Sequence, residues 1–197
     1  MTETLPALVG FAAAMSFTPG PNNVMATAAG ANFGFRRSIP TLLGITIGFA
    51  LMLVVLGLGA NGLFRAWPAI HQVLKFVGTA YLLWLAWRIA TAGRPTAEGA
   101  RGRPPGFLAG AAFQWANPKG WVFLLGALST YTTVGGDLVA ELATITIVIA
   151  IACFAAIATW CAFGVAIGRR LRSDRALAIF NRSMAALLVA SIATAWL

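Results

Sequence analysis

Two short stretches gather residue types able to bind a small charged solute within an otherwise apolar chain. They are Thr18-Pro19-Gly20-Pro21-Asn22-Asn23 and, far downstream, Gln114 followed by Asn117-Pro118-Lys119. In the second stretch, Asn117 is a good helix N-cap. Pro118 suits the first helical position, where its missing N–H would lack a partner in any case. A helix starting there exposes free N–H groups and the positive end of its dipole, and Lys119 adds a full charge at the same point. Together they make an anion site suited to one carboxylate. The first stretch offers the complement. Pro19 and Pro21 have no N–H, so carbonyls in the preceding turn lose their helical partners, and Gly20 lets the chain turn sharply. Those carbonyls and the side chains of Asn22 and Asn23 can accept from an ammonium group, with Thr18 and Gln114 adding hydrogen bonds. An α-amino acid carries a carboxylate and an ammonium on one carbon, and the two stretches together match both. The competing reading is that each proline only kinks its helix for packing and that Lys119 pairs with carbonyls. An ionisable residue inside an apolar run is costly, however, and by default functional.

The elements that must position these residues are membrane helices. Of the 197 residues, 59% are hydrophobic and 10% charged, against roughly 25% charged in soluble domains. No charge lies between Glu3 and Arg36, between Arg37 and Arg65, or between Glu141 and Arg169. Each gap exceeds the ~20 apolar residues that a membrane helix needs. Residues 66–87 carry only Lys75, residues 106–131 only Lys119, and residues 176–197 only Arg182, which can snorkel to the nearer interface. Six spans are therefore expected, at 5–30, 38–63, 66–89, 106–131, 139–168 and 175–197. Both polar stretches fall inside spans, the first and the fourth. Unpaired backbone at that depth is tolerated only where it is buried in protein or lines a wet cavity. The first span has Glu3 and no basic leader before it, and reads as a retained helix rather than a cleaved signal.

The net charge of +9 is distributed by side rather than by patch. Arg36 and Arg37 follow span one; Arg88, Arg94, Arg101 and Arg103 follow span three; Arg169, Arg170, Arg172 and Arg175 follow span five. The opposite side carries Arg65 alone, with Glu3, Asp137 and Glu141. This is the positive-inside pattern, and it puts both termini outside the cytoplasm. The charge sets orientation, so no nucleic-acid partner is expected. A Gly-, Pro- and Arg-rich linker at 93–105 separates two units, 1–92 and 106–197, of three spans each. Gly10-Phe11 and Phe17 recur as Gly106-Phe107 and Phe113 at one constant offset, each set followed by a break. A three-span unit duplicated in tandem must insert its copies upside down relative to one another. The expected fold is therefore an all-α integral membrane protein, six transmembrane helices as two inverted three-helix repeats, with helices 1 and 4 broken and meeting near the midplane. Two GxxxG pairs, Gly44/Gly48 and Gly164/Gly168, suit close helix packing within the chain or in a homodimer alike.

The residues that are missing narrow the chemistry. All five acids (Glu3, Glu98, Asp137, Glu141 and Asp174) fall in expected loops or at span ends. A basic amino acid or a metal cation would call for a buried carboxylate, so a neutral substrate is favoured. One histidine cannot build a metal centre, and no cofactor is expected. Cys153 and Cys161 share one helix about 12 Å apart at its ~1.5 Å rise, too far for a disulfide, and read as packing residues. A membrane redox protein would need cysteines in spans one and four, and neither has one. No nucleophile–base constellation points to an enzyme. For proton coupling the candidates are His71, which titrates in the right range, and Asp137 and Glu141 at the outer mouth of span five.

Thr18-Pro-Gly-Pro-Asn-Asn23, Gly34-Phe-Arg36, Ala80-Tyr-Leu-Leu-Trp-Leu85 and Asn117-Pro-Lys119 together resemble the LysE/RhtB-type amino-acid exporters, in order along nearly the whole chain. Phe17–Asn23, Trp84–Thr91 and Ala127–Thr130 look most like the cysteine/O-acetylserine exporter branch. The resemblance implies a six-span bacterial inner-membrane carrier that expels amino acids, driven by the proton gradient. Lysine exporters of the family carry an acid in span two, where this chain has Thr46 and its neighbours, a departure that argues against a basic substrate.

Overall fold

The computed structural model describes residues 4–60, 68–92, 104–133, 135–171 and 173–196. These form eight helices and no strand: α1 (Leu5–Phe17), α2 (Pro21–Phe33), α3 (Phe35–Val55), α4 (Pro68–Ala90), α5 (Phe107–Ala116), α6 (Pro118–Tyr131), α7 (Leu138–Arg170) and α8 (Asp174–Trp196). One π-helical turn, Leu56–Ala60, prolongs α3. Within the linker, residues 93–103 lie outside the described residues.

The breaks have local causes. Thr18 precedes a proline and is extended, with ψ 131°, because the proline ring disfavours a helical residue before it. The chain resumes as α2 with Pro21 in its first turn. Asn117 is likewise extended before Pro118, and its side chain accepts from the Gly120 N–H at the start of α6. At 13 residues, α1 and α2 each measure about 20 Å, short of the ~30 Å hydrocarbon core. Only end to end are they long enough to cross it. Gly34, at φ 80°, closes α2 and redirects the chain into α3; a side chain there would strain the backbone.

Among the described residues, Phe35–Gly59 and Leu138–Arg170 are each long and apolar enough to cross a membrane alone. Their outer faces fit that solvent. Ile39, Leu43, Ile47 and Leu51 recur every fourth residue along α3 and are all exposed, as are Ile147 and Ile151 on α7.

Glycines set the closest helix contacts. A Cβ on Gly44 would meet the Phe107 carbonyl at 2.1 Å, and one on Gly48 would meet Ala111 at 2.5 Å. On the other side of the bundle, a Cβ on Gly164 would clash with the Thr27 carbonyl, and one on Gly168 would meet that of Ala31 at 2.5 Å. Both GxxxG pairs are thus used within the chain. Residue numbers rise together along α3 and α5, and along α2 and α7, so each pair is parallel. The α1–α6 contacts run the opposite way: the Phe11 ring meets Phe123 at 5.4 Å and Tyr131 at 5.8 Å, while Gly20 meets Lys119. These two helices are antiparallel. Leu42, Ile45, Phe49, Phe113 and Leu124 fill the core between the two breaks.

Candidate functional site

Both breaks meet at one point. The Lys119 ammonium donates to the Thr18 carbonyl at 2.5 Å, across 101 residues of sequence. Its stem lies over Gly20, where a Cβ would come within 2.7 Å of Lys119 Cδ. Gly20 is fully extended, a conformation open to any residue; what it provides is room for the lysine. Beside this contact, Asn22 and Gln114 exchange hydrogen bonds, Asn22 Nδ2 donating at 3.0 Å and Gln114 Nε2 at 3.1 Å. Gln114 also donates to the Gly110 carbonyl at 3.0 Å and is fully buried.

The expectation that the first break leaves carbonyls free for a ligand's ammonium needs correction. Asn23 Nδ2 donates to the carbonyls of Ser16 and Thr18, both at 2.9 Å. The Trp160 indole N–H reaches that of Phe17 at 3.3 Å, and Lys119 takes that of Thr18 a second time. Side chains from α2, α6 and α7 take these carbonyls, of which that of Ser16 lies on a buried residue and those of Phe17 and Thr18 on exposed ones. The Asn23 amide nitrogen is thus spent on the break itself.

A cavity of about 30 Å³ lies at the crossing, lined by the break residues Gly20–Asn23 with Asn117 and Lys119. That is room for a water or two and too small for an amino acid, so the structure is closed to a solute there, though the Lys119–Thr18 contact itself is exposed. The cavity wall also holds residues that the spacing of motifs did not single out: Met15 and Ser16 from α1, Phe49 from α3, Phe123 from α6, and Cys153 and Ile157 from α7. Cys153, expected to be a packing residue, does pack in the apolar core and also borders this cavity. Cys161 packs as well, against Gly30 at the α2–α7 contact. The sequence signal for Ser16 was its place one turn before Pro19; for Cys153 there was none, since only the fold brings the middle of α7 to the break.

A second, larger cavity of about 280 Å³ lies at the far end of α2, lined by Asn32, Trp84, Arg88 and Pro105 among others. The Arg88 guanidinium stacks over the Trp84 ring at 5.4 Å. Asn22 and Asn32 are separated by about 15 Å of helix, so α2 connects the two cavities.

The coupling candidates lie elsewhere. Asp137 caps α7, accepting from the N–H groups of Val139 and Ala140 at 3.1 Å. Glu141 accepts from the Thr133 N–H at 3.0 Å and from its hydroxyl at 2.5 Å. Asp137 thus caps α7 and Glu141 ties it to the end of α6, and neither lines the small cavity. His71 is in α4, with its side chain outside the described residues.

With this geometry in view, comparison with known proteins is decisive on the family. The model of the LysE type translocators matches residues 13–195. The chain belongs to the LysE type translocator family. Relatives of this translocator include the cysteine/O-acetylserine efflux protein of Salmonella typhimurium, 43% identical over 117 residues. That match spans 59% of this chain and 59% of the relative's length. The protein of the same description from Escherichia coli K12 is 37% identical over 133 residues, 66% of this chain and 67% of the relative. No solved structure matches. A family of translocators moves solutes rather than transforming them, which agrees with the lack of a catalytic constellation in the sequence.

Proposed function

We propose that this translocator exports small neutral amino acids or their derivatives across the bacterial inner membrane by proton antiport. It would do so as six spans in two inverted repeats, 1–92 and 106–197, joined by the cytoplasmic linker 93–105. The observation that carries this reading is the Lys119 ammonium, held at the start of α6 where two broken spans cross. The antiparallel run of α1 against α6, and the parallel pairs α3–α5 and α2–α7, are what an inverted duplication requires. Cysteine and O-acetylserine, named for the relatives, are both zwitterions with short polar side chains, and the lack of acids in the cavity wall fits a solute without extra positive charge.

In the closed form, Lys119 stands where the substrate's ammonium would go, on the Thr18 carbonyl. When the helices part, a carboxylate entering beside the N-terminus of α6 draws Lys119 onto itself, and the substrate's own ammonium takes over Thr18 O. Asn22 and Gln114 can exchange their mutual bonds for bonds to the same solute. The larger cavity at the far end of α2 provides the approach from the basic, cytoplasmic side. Protons return through groups at the opposite mouth, among which Asp137, Glu141 and His71 are the titratable ones.

Efflux from bacteria overexpressing the chain and loaded with dipeptides tests this directly. Neutral amino acids should accumulate outside, and no increase for any of them would overturn the reading. Reporters on either terminus should be inactive in the cytoplasm; cytoplasmic activity would overturn the orientation.

A further inference from the structure

Serine and threonine hydroxyls inside helices normally bond back to the carbonyl four residues earlier, and this chain follows that habit closely. Thr18 bonds to Ala14, Thr27 to Asn23, Ser38 to Gly34, Thr46 to Leu42, Thr144 to Ala140 and Thr159 to Ala155. Ser16 does not. Its hydroxyl is buried, the residue 9% exposed, and has no hydrogen-bond partner. A buried hydroxyl left unpaired is costly, and each such group in a folded protein calls for an explanation. Among the described residues one other hydroxyl, that of Thr146, is in the same state, but it is not among the residues of the cavity wall. Ser16 is, together with Lys119, Met15 and Cys153.

We infer that the Ser16 hydroxyl is a specificity-determining group that hydrogen-bonds the polar atom of the substrate's side chain, an oxygen or sulfur on its β-carbon. This rests on the proposed amino-acid site and adds to it what reads the side chain. Lys119 addresses the carboxylate and the break carbonyls the amine, groups that every amino acid shares. None of those contacts distinguishes serine or cysteine from alanine. Ser16 can, because it lies one turn before the break and lines the cavity, whose wall also holds the sulfur-bearing residues Met15 and Cys153. In the closed form the hydroxyl has no partner; in the loaded form its partner is the solute. The hydroxyl both donates and accepts, so it can serve a hydroxyl, a thiol or an ester oxygen.

The test is counterflow into proteoliposomes by the purified full chain, comparing L-serine and L-cysteine with L-alanine. Ser16→Ala should raise the apparent KM for serine and cysteine by about 2- to 12-fold, the worth of one net hydrogen bond, while leaving alanine unchanged. Ser16→Thr, which keeps the hydroxyl, should retain the preference. An equal loss for all three substrates would mean that Ser16 is only structural, and an unchanged serine-to-alanine ratio would mean that it reads nothing; either overturns the inference. Transport by the native chain with that ratio unmoved by Ser16→Ala leaves the amino-acid site standing, whereas a native chain that moves none of the three overturns both.

Discussion

Replacing Lys119 with methionine separates the site from the fold. Met keeps most of the stem volume that fills the space over Gly20 but removes the ammonium. In the closed structure this costs little. The Thr18 carbonyl loses a donor, yet it still accepts from Asn23 at 2.9 Å, so no buried acceptor is orphaned. Stability should change by no more than about 1 kcal/mol, the net worth of one hydrogen bond. In the loaded form the same change leaves a carboxylate without its counter-charge. Truncating one partner of a desolvated, hydrogen-bonded charge pair costs about 2–5 kcal/mol, or roughly 30- to 4,000-fold in affinity. The dipole of α6 persists and offsets about 0.3–1 kcal/mol of that loss. The assay is counterflow of a labelled neutral amino acid with the purified protein, read beside its thermal stability in detergent. Net of that offset, transport should fall at least about 5-fold with the melting transition nearly in place. Lys119→Met that transports within threefold of the native chain would refute the carboxylate-site reasoning. Collapse of the fold would refute the claim that the Lys119–Thr18 contact is dispensable for stability.

Other outcomes follow from the same contacts. Gly20→Ala puts a Cβ 2.7 Å from Lys119 Cδ, the movable part of a flexible side chain; it should lower transport by displacing the ammonium while stability changes by less than about 1 kcal/mol, as thermal melts would report. Gly44→Ala meets the rigid Phe107 carbonyl at 2.1 Å instead, and should cost about 1–3 kcal/mol as α3 and α5 are forced apart, seen as a lower melting temperature. Glu141→Gln tests coupling: if the acid carries the proton, substrate exchange should survive while accumulation driven by a pH gradient is lost, and an equal loss of both would leave Glu141 as only the tie between α7 and Thr133.

Proline chemistry made the breaks legible. A residue without an N–H ends the helix before it wherever it sits, so Thr18–Pro21 and Asn117-Pro118 could be recognised without knowledge of their neighbours. The N-cap role of Asn117 was readable for the same reason, since its partner Gly120 lies only three residues on. Hydropathy was open in part: two of the long uncharged runs fall on α3 and α7, the two helices among the described residues that are long and apolar enough to cross a membrane alone. What misled was the assumption that carbonyls released by proline remain available. Three side chains occupy them, and one of these, Trp160, comes from α7, 143 residues away.

Local bonding rules therefore settled where the helices stop, restart and carry charge, because each of those depends on a residue and its nearest neighbours in the chain. Only the tertiary structure decided who meets whom at the break: Lys119 on Thr18, Asn22 with Gln114, Cys153 in the wall, and Ser16 left without a partner. Those pairings depend on the approach of α2 to α7 and of α3 to α5. That approach is limited by glycines whose missing Cβ atoms let backbone touch backbone. Packing of this kind has no signature at one position; it exists only once the helices are docked.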